Sequence, residues 1–199
     1  MSPRVEHYRG VIAPQIGAPF GRATARIIRK YNRESPLGNL IADAMRRSSG
    51  ADAALTNAGG LRADLPEGPI DHGRVLDAFP FLNDNVVVEL PGAALRGVVE
   101  HGLSLLAGMC QVSGLRATYD LQRPVGARLV SLEVGDAPVA DAKSYRVATN
   151  SFLAEGGDGY AAFLRGRVVA KGKLLSEVLS DYVRERQPPG AARVRRSRP

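Results

Sequence analysis

The order of strand-like and helix-like segments is the feature that most limits the fold of this 199-residue chain. Two segments with strand composition, Leu115–Tyr119 and Leu129–Val134, follow each other with no helical pattern between them. A doubly wound parallel sheet needs a crossover helix between successive strands, so this pair argues against it. We therefore predict an α+β domain in which a mixed β-sheet is packed with helices.

Apolar residues at helical spacing predict three main helices. The first begins at Ser35-Pro36, where serine suits the N-cap and proline the first helical position, and it ends near Gly50. The other two cover Ala93–Leu106 and Leu174–Arg184, and a short helix covers 73–78. Alternating or apolar runs predict strands at 23–30, 51–56, 86–90, 115–119, 129–134 and 145–149.

One compact domain is the expected organisation for a chain with 44% hydrophobic residues. We place it at residues 22–184, after a connector at 1–21 and before a basic disordered tail at 185–199. No apolar run approaches the roughly 20 residues needed to cross a bilayer, and the first residues lack the apolar stretch of a secretory signal. We expect no membrane association, and the sequence leaves the compartment open.

The formal net charge of +7 invites a nucleic-acid interpretation. Five of the 27 basic residues fall in the last fourteen positions, however, so the domain itself is only mildly basic. The sequence also lacks a helix-turn-helix, a zinc finger and an aromatic-basic strand pattern. We therefore expect no nucleic-acid partner. Binding through the arginine tail would show a steep salt dependence that is lost when the residues after Arg184 are removed.

The histidines and the single cysteine form no pattern for catalysis. His7, His72 and His101 belong to no H-x-H, D-x-H or H-E-x-x-H arrangement. We interpret His101 as a helix-surface residue, and Cys110, which lies among apolar residues, as a small buried hydrophobe. Walker-type and G-x-S-x-G motifs are absent as well. The sequence predicts no catalytic residue and no metal site in this chain.

Two glycine-rich segments carry residues suited to a ligand. Asn57–Arg62 places a carboxamide, Gly59, Gly60 and a guanidinium after a predicted buried strand, where paired glycines let the backbone approach a ligand closely. Asn150–Tyr160 places Asp158 among three glycines, and an ionised carboxylate can accept both hydroxyls of a ribose diol. A glycine turn followed by a surface arginine, and an Asp-Gly turn, are the alternatives.

Phe81 and Phe152 are two of only five phenylalanines in the chain. If their rings face each other across a cleft they can sandwich a base, a contact of about 1–3 kcal/mol per base that tolerates base identity. Burial in the core is the alternative for either ring taken alone. A simple turn, however, gives no reason for a bulky Phe152 just before so flexible a loop.

Five segments taken in order make the chain resemble a known family. They cover about Arg22 to Tyr182 and are Glu34–Asp43, Asn57–Arg62, Phe79–Phe81 followed by Asn83, Ser113–Asp120 and Thr149–Tyr160. The set is similar to the C-terminal domain of the 5′-nucleotidase family, which includes bacterial UDP-sugar hydrolases, 2′,3′-cyclic phosphodiesterases and animal ecto-5′-nucleotidase. Each motif alone is weak, whereas five in sequence are highly specific.

The resemblance implies a division of labour between two domains. In that family an N-terminal calcineurin-like metallophosphatase domain holds two divalent metals, often zinc or manganese, which activate water for attack on phosphorus. The C-terminal domain binds the nucleoside. The chain would then be the recognition part of a hydrolase of nucleotide catabolism, inactive alone and without a cofactor of its own. Its partners would be an AMP-like nucleoside or nucleotide and a metallophosphatase domain in cis or in trans.

The resemblance also assigns roles by position. Phe81 and Phe152 would stack on the two faces of the base, and Asp158 would accept the ribose hydroxyls. Asn57 and Arg62 would hold the base-ribose and phosphate side, while the two glycines between them would give the backbone room.

One position departs from the family pattern. Many members have an arginine three residues before the glutamate that matches Glu34, and this chain has Tyr31 there. We take the nearby Arg33 as the candidate replacement for a phosphate contact.

A stand-alone, non-catalytic nucleotide-binding module is the alternative to the enzyme domain. A calcineurin-like sequence immediately upstream, in the same reading frame or the next, would favour the enzyme. The sequence leaves open the base preference and the choice among monoester, cyclic diester and UDP-sugar substrates.

Overall fold

The computed structural model describes residues 17–186, so most of the predicted connector and tail lies outside the described residues. The helices are Pro36–Ser49 (α1), His72–Ala78 (α2), Gly92–Gly102 (α3), Ser151–Ala154 (α4) and Leu175–Arg186 (α5). The strands are Gly21–Ala23 (β1), Ala53–Asn57 (β2), Gly68–Ile70 (β3), Asp84–Pro91 (β4), Cys110–Ser113 (β5), Leu115–Tyr119 (β6), Leu129–Val134 (β7), Ala137–Pro138 (β8), Ser144–Asn150 (β9) and Arg167–Leu174 (β10). Helix α5 passes the boundary at residue 184, and the domain limits stay a prediction.

A five-stranded sheet in the order β10-β4-β9-β2-β5 forms the centre of the domain. Strands β2 and β9 run parallel, and the other neighbouring pairs in this sheet are antiparallel. Strands β6, β7 and β8 form a separate three-stranded sheet, and β1 pairs with β3. The predicted α+β class with a mixed sheet is confirmed, and β6 and β7 are an antiparallel pair joined without a helix.

At strand β4, both faces of the central sheet are buried. Val87 packs on one face with residues of α1, α2 and α5, whereas Val86 and Val88 pack on the other with residues of α3 and β7. Successive residues of a strand point to opposite faces, so a strand covered on both sides requires a continuous apolar run. The valines of β4 supply that run.

Helix α1 begins and ends as its sequence predicts. The Ser35 hydroxyl accepts a hydrogen bond from the Gly38 backbone N–H at 3.1 Å, and Pro36 is the first helical residue. Gly50 ends the helix in the left-handed conformation, with φ of 60°. A Cβ at Gly38 would overlap the side chain of Gln111, so the glycine lets α1 pack closely on β5.

Helix α3 ends at Gly102, earlier than the predicted end at Leu106. A Cβ at Gly102 would lie 2.5 Å from the Cβ of Cys110, and Leu105 takes a positive φ of 66°. The helix therefore ends at Gly102 and β5 can pair with β2, although apolar residues continue the helical pattern to Leu106.

Two strands of the central sheet, β5 and β10, are not predicted by the sequence pattern. Strand β10 is an edge strand whose residues are mostly exposed and include Lys171 and Lys173, so it shows no clear alternation. The predicted strand at 23–30 is wrong over most of its length. Only β1 and an isolated bridge between Ile27 and Leu65 are found there.

Candidate functional site

The ends of three neighbouring strands bring the predicted site residues together. Strands β2 and β9 are parallel, so their carboxyl ends, at Asn57 and Asn150, lie at one edge of the sheet. Strand β4 is antiparallel to β9 with Asn85 opposite Asn150, so the segment before β4, which contains Phe81, reaches the same edge. Segments far apart in the sequence therefore meet at one place.

Two side-chain hydrogen bonds connect the end of β2 to the segment Asn150–Tyr160. The Asn57 amide donates from Nδ2 to Oδ2 of Asp158 at 2.6 Å. The Asn150 amide donates from Nδ2 to Oγ1 of Thr56 at 3.1 Å, and its Oδ1 accepts from the backbone N–H of Leu153. Asn57 thus holds the predicted ribose-binding carboxylate in place, and its contact with a ligand, which the resemblance implies, stays a prediction.

A pocket of about 410 Å³ opens at this edge, a volume within the usual range for small-ligand sites. It is lined by Tyr31, Asn57, Gly59, Gly60, Arg62, Phe79, Phe81, Asn83, Leu106, Ala107, Phe152 and Asp158. Every predicted site residue except Arg33 belongs to this lining.

The rings of Phe81 and Phe152 lie at the pocket and outside the core, with 41% and 44% of each residue exposed. Phe152 packs across Gly157, where a Cβ would lie 2.5 Å from its ring atoms. Phe81 stands edge-on against the buried ring of Phe79, with the ring centroids 6.1 Å apart. Each ring is thus supported from its own side and remains accessible to a ligand.

The backbone of Asp158 adopts a left-handed conformation, with φ of 54°. Residues with a Cβ rarely take this conformation, although aspartate tolerates it better than most. Gly156 and Gly159 on either side also have positive φ. The turn leaves the Asp158 residue exposed at the pocket, and its carboxylate keeps acceptor capacity beyond the bond from Asn57 because an ionised carboxyl group offers about four acceptor positions.

Within this lining, Arg62 is the basic residue and Asp158 the acidic one. Nη1 of Arg62 lies 3.4 Å from the carbonyl oxygen of Gly59, and the guanidinium is exposed. The structure does not bring Arg33 to the pocket. The Arg33 carbonyl accepts a hydrogen bond from Nε2 of the buried Gln111, which fixes that stretch of backbone on the β5 side.

Five lining residues are missing from the sequence prediction: Tyr31, Phe79, Asn83, Leu106 and Ala107. The Met109 backbone N–H donates to the Tyr31 carbonyl at 2.7 Å, which places the tyrosine ring beside the segment before β5. The Tyr31 hydroxyl lies 3.5 Å from the Leu106 carbonyl oxygen. The departure of Tyr31 from the family pattern is the sequence signal that could have identified it. Leu106 and Ala107 were missed because the sequence pattern predicts a helix that continues to Leu106, whereas the helix ends at Gly102.

Within residues 17–186, no group of three or more His, Cys, Asp or Glu side chains is placed to hold a metal ion. Nor is any helix in that range long and apolar enough to cross a membrane. The described pocket offers aromatic faces for stacking and polar groups for hydrogen bonds, which suit a ligand with a flat ring and hydroxyl groups.

Cys110 behaves as a buried hydrophobe, and burial raises the pKa of its thiol to about 12. The thiol therefore stays neutral at physiological pH, and only the thiolate reacts with alkylating reagents. We expect iodoacetamide at pH 8 to modify Cys110 about 1,000-fold more slowly in the native chain than in the urea-unfolded chain. Mass spectrometry of timed samples measures both rates, and native and unfolded rates within tenfold of each other would contradict this expectation.

Known proteins are similar to this chain over most of its described residues. A family model described as 5′-nucleotidase, C-terminal domain, matches residues 15–165. The trifunctional nucleotide phosphoesterase protein YfkN of Bacillus subtilis (strain 168) is 37% identical over an alignment of 145 positions, which covers 66% of this chain and 10% of that protein. The 5′-nucleotidase of Diplobatis ommata is 31% identical over an alignment of 180 positions, which covers 77% of this chain and 31% of that protein.

A solved structure shares the fold as well. The 5′-nucleotidase precursor from Thermus thermophilus superposes with a TM-score of 0.83 at 36% identity, over 91% of this chain and 39% of that one. The chain thus spans between a tenth and about two fifths of these three relatives and corresponds to one part of each.

Proposed function

The chain belongs to the 5′-nucleotidase family, in which it corresponds to the C-terminal domain, and from that premise we propose that it recognises the nucleoside part of a phosphate ester substrate. In this proposal it works with a calcineurin-like metallophosphatase domain that is absent from the chain, in cis or in trans. The observation that carries the proposal is the shared pocket of Phe81, Phe152 and Asp158.

The base occupies the space beside the two exposed phenylalanines. Stacking on aromatic rings depends on the π-face that every base has, so it gives affinity with little base selectivity. The half-exposed rings lose solvent contact when a base covers them, which adds a hydrophobic contribution. Both rings rest on residues of their own chain, so little rearrangement is needed on binding.

The ribose lies against Asp158. The Asp158 carboxylate accepts hydrogen bonds from the two vicinal ribose hydroxyls, while the Asn57 amide donates to Oδ2 of the same carboxylate. Arg62, at the same pocket, is the cation available to a phosphate or ribose oxygen. These contacts hold the nucleoside part of the ester in the pocket.

The metal ions of the proposed enzyme do not fit this chain, because the described residues offer no cluster of ligands for them. Two divalent metals, zinc or manganese, would be held by the metallophosphatase domain, where they supply activated water. The residues of this chain contribute binding and orientation.

We predict that the isolated chain releases no phosphate from AMP above the buffer rate when zinc or manganese is added, because recognition and hydrolysis reside in different domains. A phosphate-release assay with and without chelator measures this. Turnover that a chelator abolishes would contradict the division of labour, whereas the same chain joined to a calcineurin-like domain encoded beside it should hydrolyse AMP.

The assay also separates the enzyme domain from a stand-alone binding module. A calcineurin-like sequence next to this one in the gene, together with turnover in the combined protein, supports the enzyme. Adenosine binding with no such sequence and no turnover supports the module.

A further inference from the structure

We propose that His101 is a positioning residue for the ribose-binding carboxylate, an inference that rests on the proposed function of the pocket. His101 is not among the residues that line the pocket. It acts through the main chain of Asp158, and its role is to keep that residue in the conformation from which the carboxylate meets the ribose hydroxyls.

The turn that carries Asp158 needs an external support. Asp158 and its neighbours Gly156 and Gly159 all have positive φ, and none of the residues in Gly157–Gly159 is buried. Glycines allow many other conformations, so their sequence alone does not fix this one. The turn therefore depends on contacts with rigid elements beside it.

His101 provides one such contact from the last turn of α3. Its Nε2 lies 2.8 Å from the backbone carbonyl oxygen of Asp158. A carbonyl oxygen can only accept, so Nε2 carries the hydrogen in this arrangement. The bond holds the main chain of Asp158, whereas Asn57 holds its side chain at 2.6 Å. Hydrogen bonds therefore hold both the main chain and the carboxylate of Asp158.

The imidazole ring is itself held in place. It packs edge-on against the ring of Tyr160, with the centroids 4.5 Å apart, and Tyr160 is only 1% exposed. The ring also lies close to Gly159, where a Cβ would be 2.9 Å from Cε1. Glycine at position 159 therefore allows both the positive φ and the close approach of the His101 ring. His101 thus links the turn to helix α3.

Substitution of His101 tests this role in the full chain. His101→Phe keeps a ring against Tyr160 and removes the donor. His101→Gln removes the ring and keeps a donor at about the distance of Nε2. Each variant and the parent are titrated calorimetrically with adenosine and with 2′,3′-dideoxyadenosine, which lacks the two hydroxyls, and thermal unfolding checks that each variant is folded.

The parent is expected to bind adenosine roughly tenfold more tightly than the dideoxy compound, the effect of hydrogen bonds to a charged group. His101→Phe should lose this preference, with a larger loss of affinity for adenosine than for dideoxyadenosine, because Gly157 of the same turn also supports Phe152. His101→Gln should keep most of the preference. If His101→Phe does not fold, His101→Asn, whose shorter side chain does not reach the carbonyl, replaces it.

Three results would overturn the inference. A folded His101→Phe variant that keeps the preference shows that the bond is not needed. Equal loss of affinity for both compounds shows a general structural effect and no positioning of the carboxylate. A parent that binds neither compound overturns the proposed function itself, and this inference with it.

Discussion

Replacing Phe152 with alanine is expected to weaken adenosine binding to this chain about 5- to 150-fold, the loss that corresponds to about 1–3 kcal/mol of stacking. The ring lines the pocket with 44% of the residue exposed, and it rests on Gly157 rather than in the core. Its removal opens one face of the bound base to water. Isothermal titration with adenosine gives both dissociation constants.

The matched control is Tyr119→Ala. Tyr119 is also an exposed aromatic residue, at 41%, but it lies on β6 and does not line the pocket. We expect this variant to bind adenosine like the parent, and Phe81→Ala to be weakened in the same range as Phe152→Ala. Phe152→Ala and Phe81→Ala variants that bind as well as the parent would rule out the aromatic sandwich.

Replacing Gln111 with alanine is expected to lower the free energy of unfolding by about 3–5 kcal/mol. The side chain is fully buried and makes four hydrogen bonds. Its Oε1 accepts from the backbone N–H and the hydroxyl of Ser35, and its Nε2 donates to the carbonyls of Arg33 and Met109. Truncation leaves the buried N–H and hydroxyl of Ser35 without their acceptor, at a cost of about 1–3 kcal/mol for an unsatisfied buried group, and it opens a cavity in the core.

Urea denaturation measures this loss, and Gln122→Ala is its control. Gln122 is exposed in the turn after β6, so the control should stay within about 0.5 kcal/mol of the parent. A decrease below about 1 kcal/mol for Gln111→Ala would contradict the role of Gln111 as the link between the start of α1 and β5.

Much of the pocket was accessible to sequence reasoning because its residues stand at recognisable strand ends. The apolar run before Asn57 and the strand before Asn150 predict where the two glycine-rich segments begin, and both strands are found. The exposure of Phe81 and Phe152 excludes the core alternative for both rings, and their role in binding a ligand stays a prediction.

The parts that sequence reasoning missed depend on long-range contacts. Nothing local shows that β2 and β9 pair in parallel, the pairing that brings the two segments to one edge. The bond between His101 and Asp158 joins residues 57 positions apart, so His101 reads as an ordinary surface residue of a helix. Arg33 does not line the pocket, and its carbonyl accepts a hydrogen bond from Gln111, a residue whose buried network has no sequence motif.

A crystal structure of the chain soaked with adenosine tests the central claim most directly. We predict electron density for the base in contact with the rings of Phe81 and Phe152, and for the ribose hydroxyls within hydrogen-bonding distance of the Asp158 carboxylate. Adenosine bound elsewhere, or bound in this pocket with the carboxylate turned away from the ribose, would contradict the account.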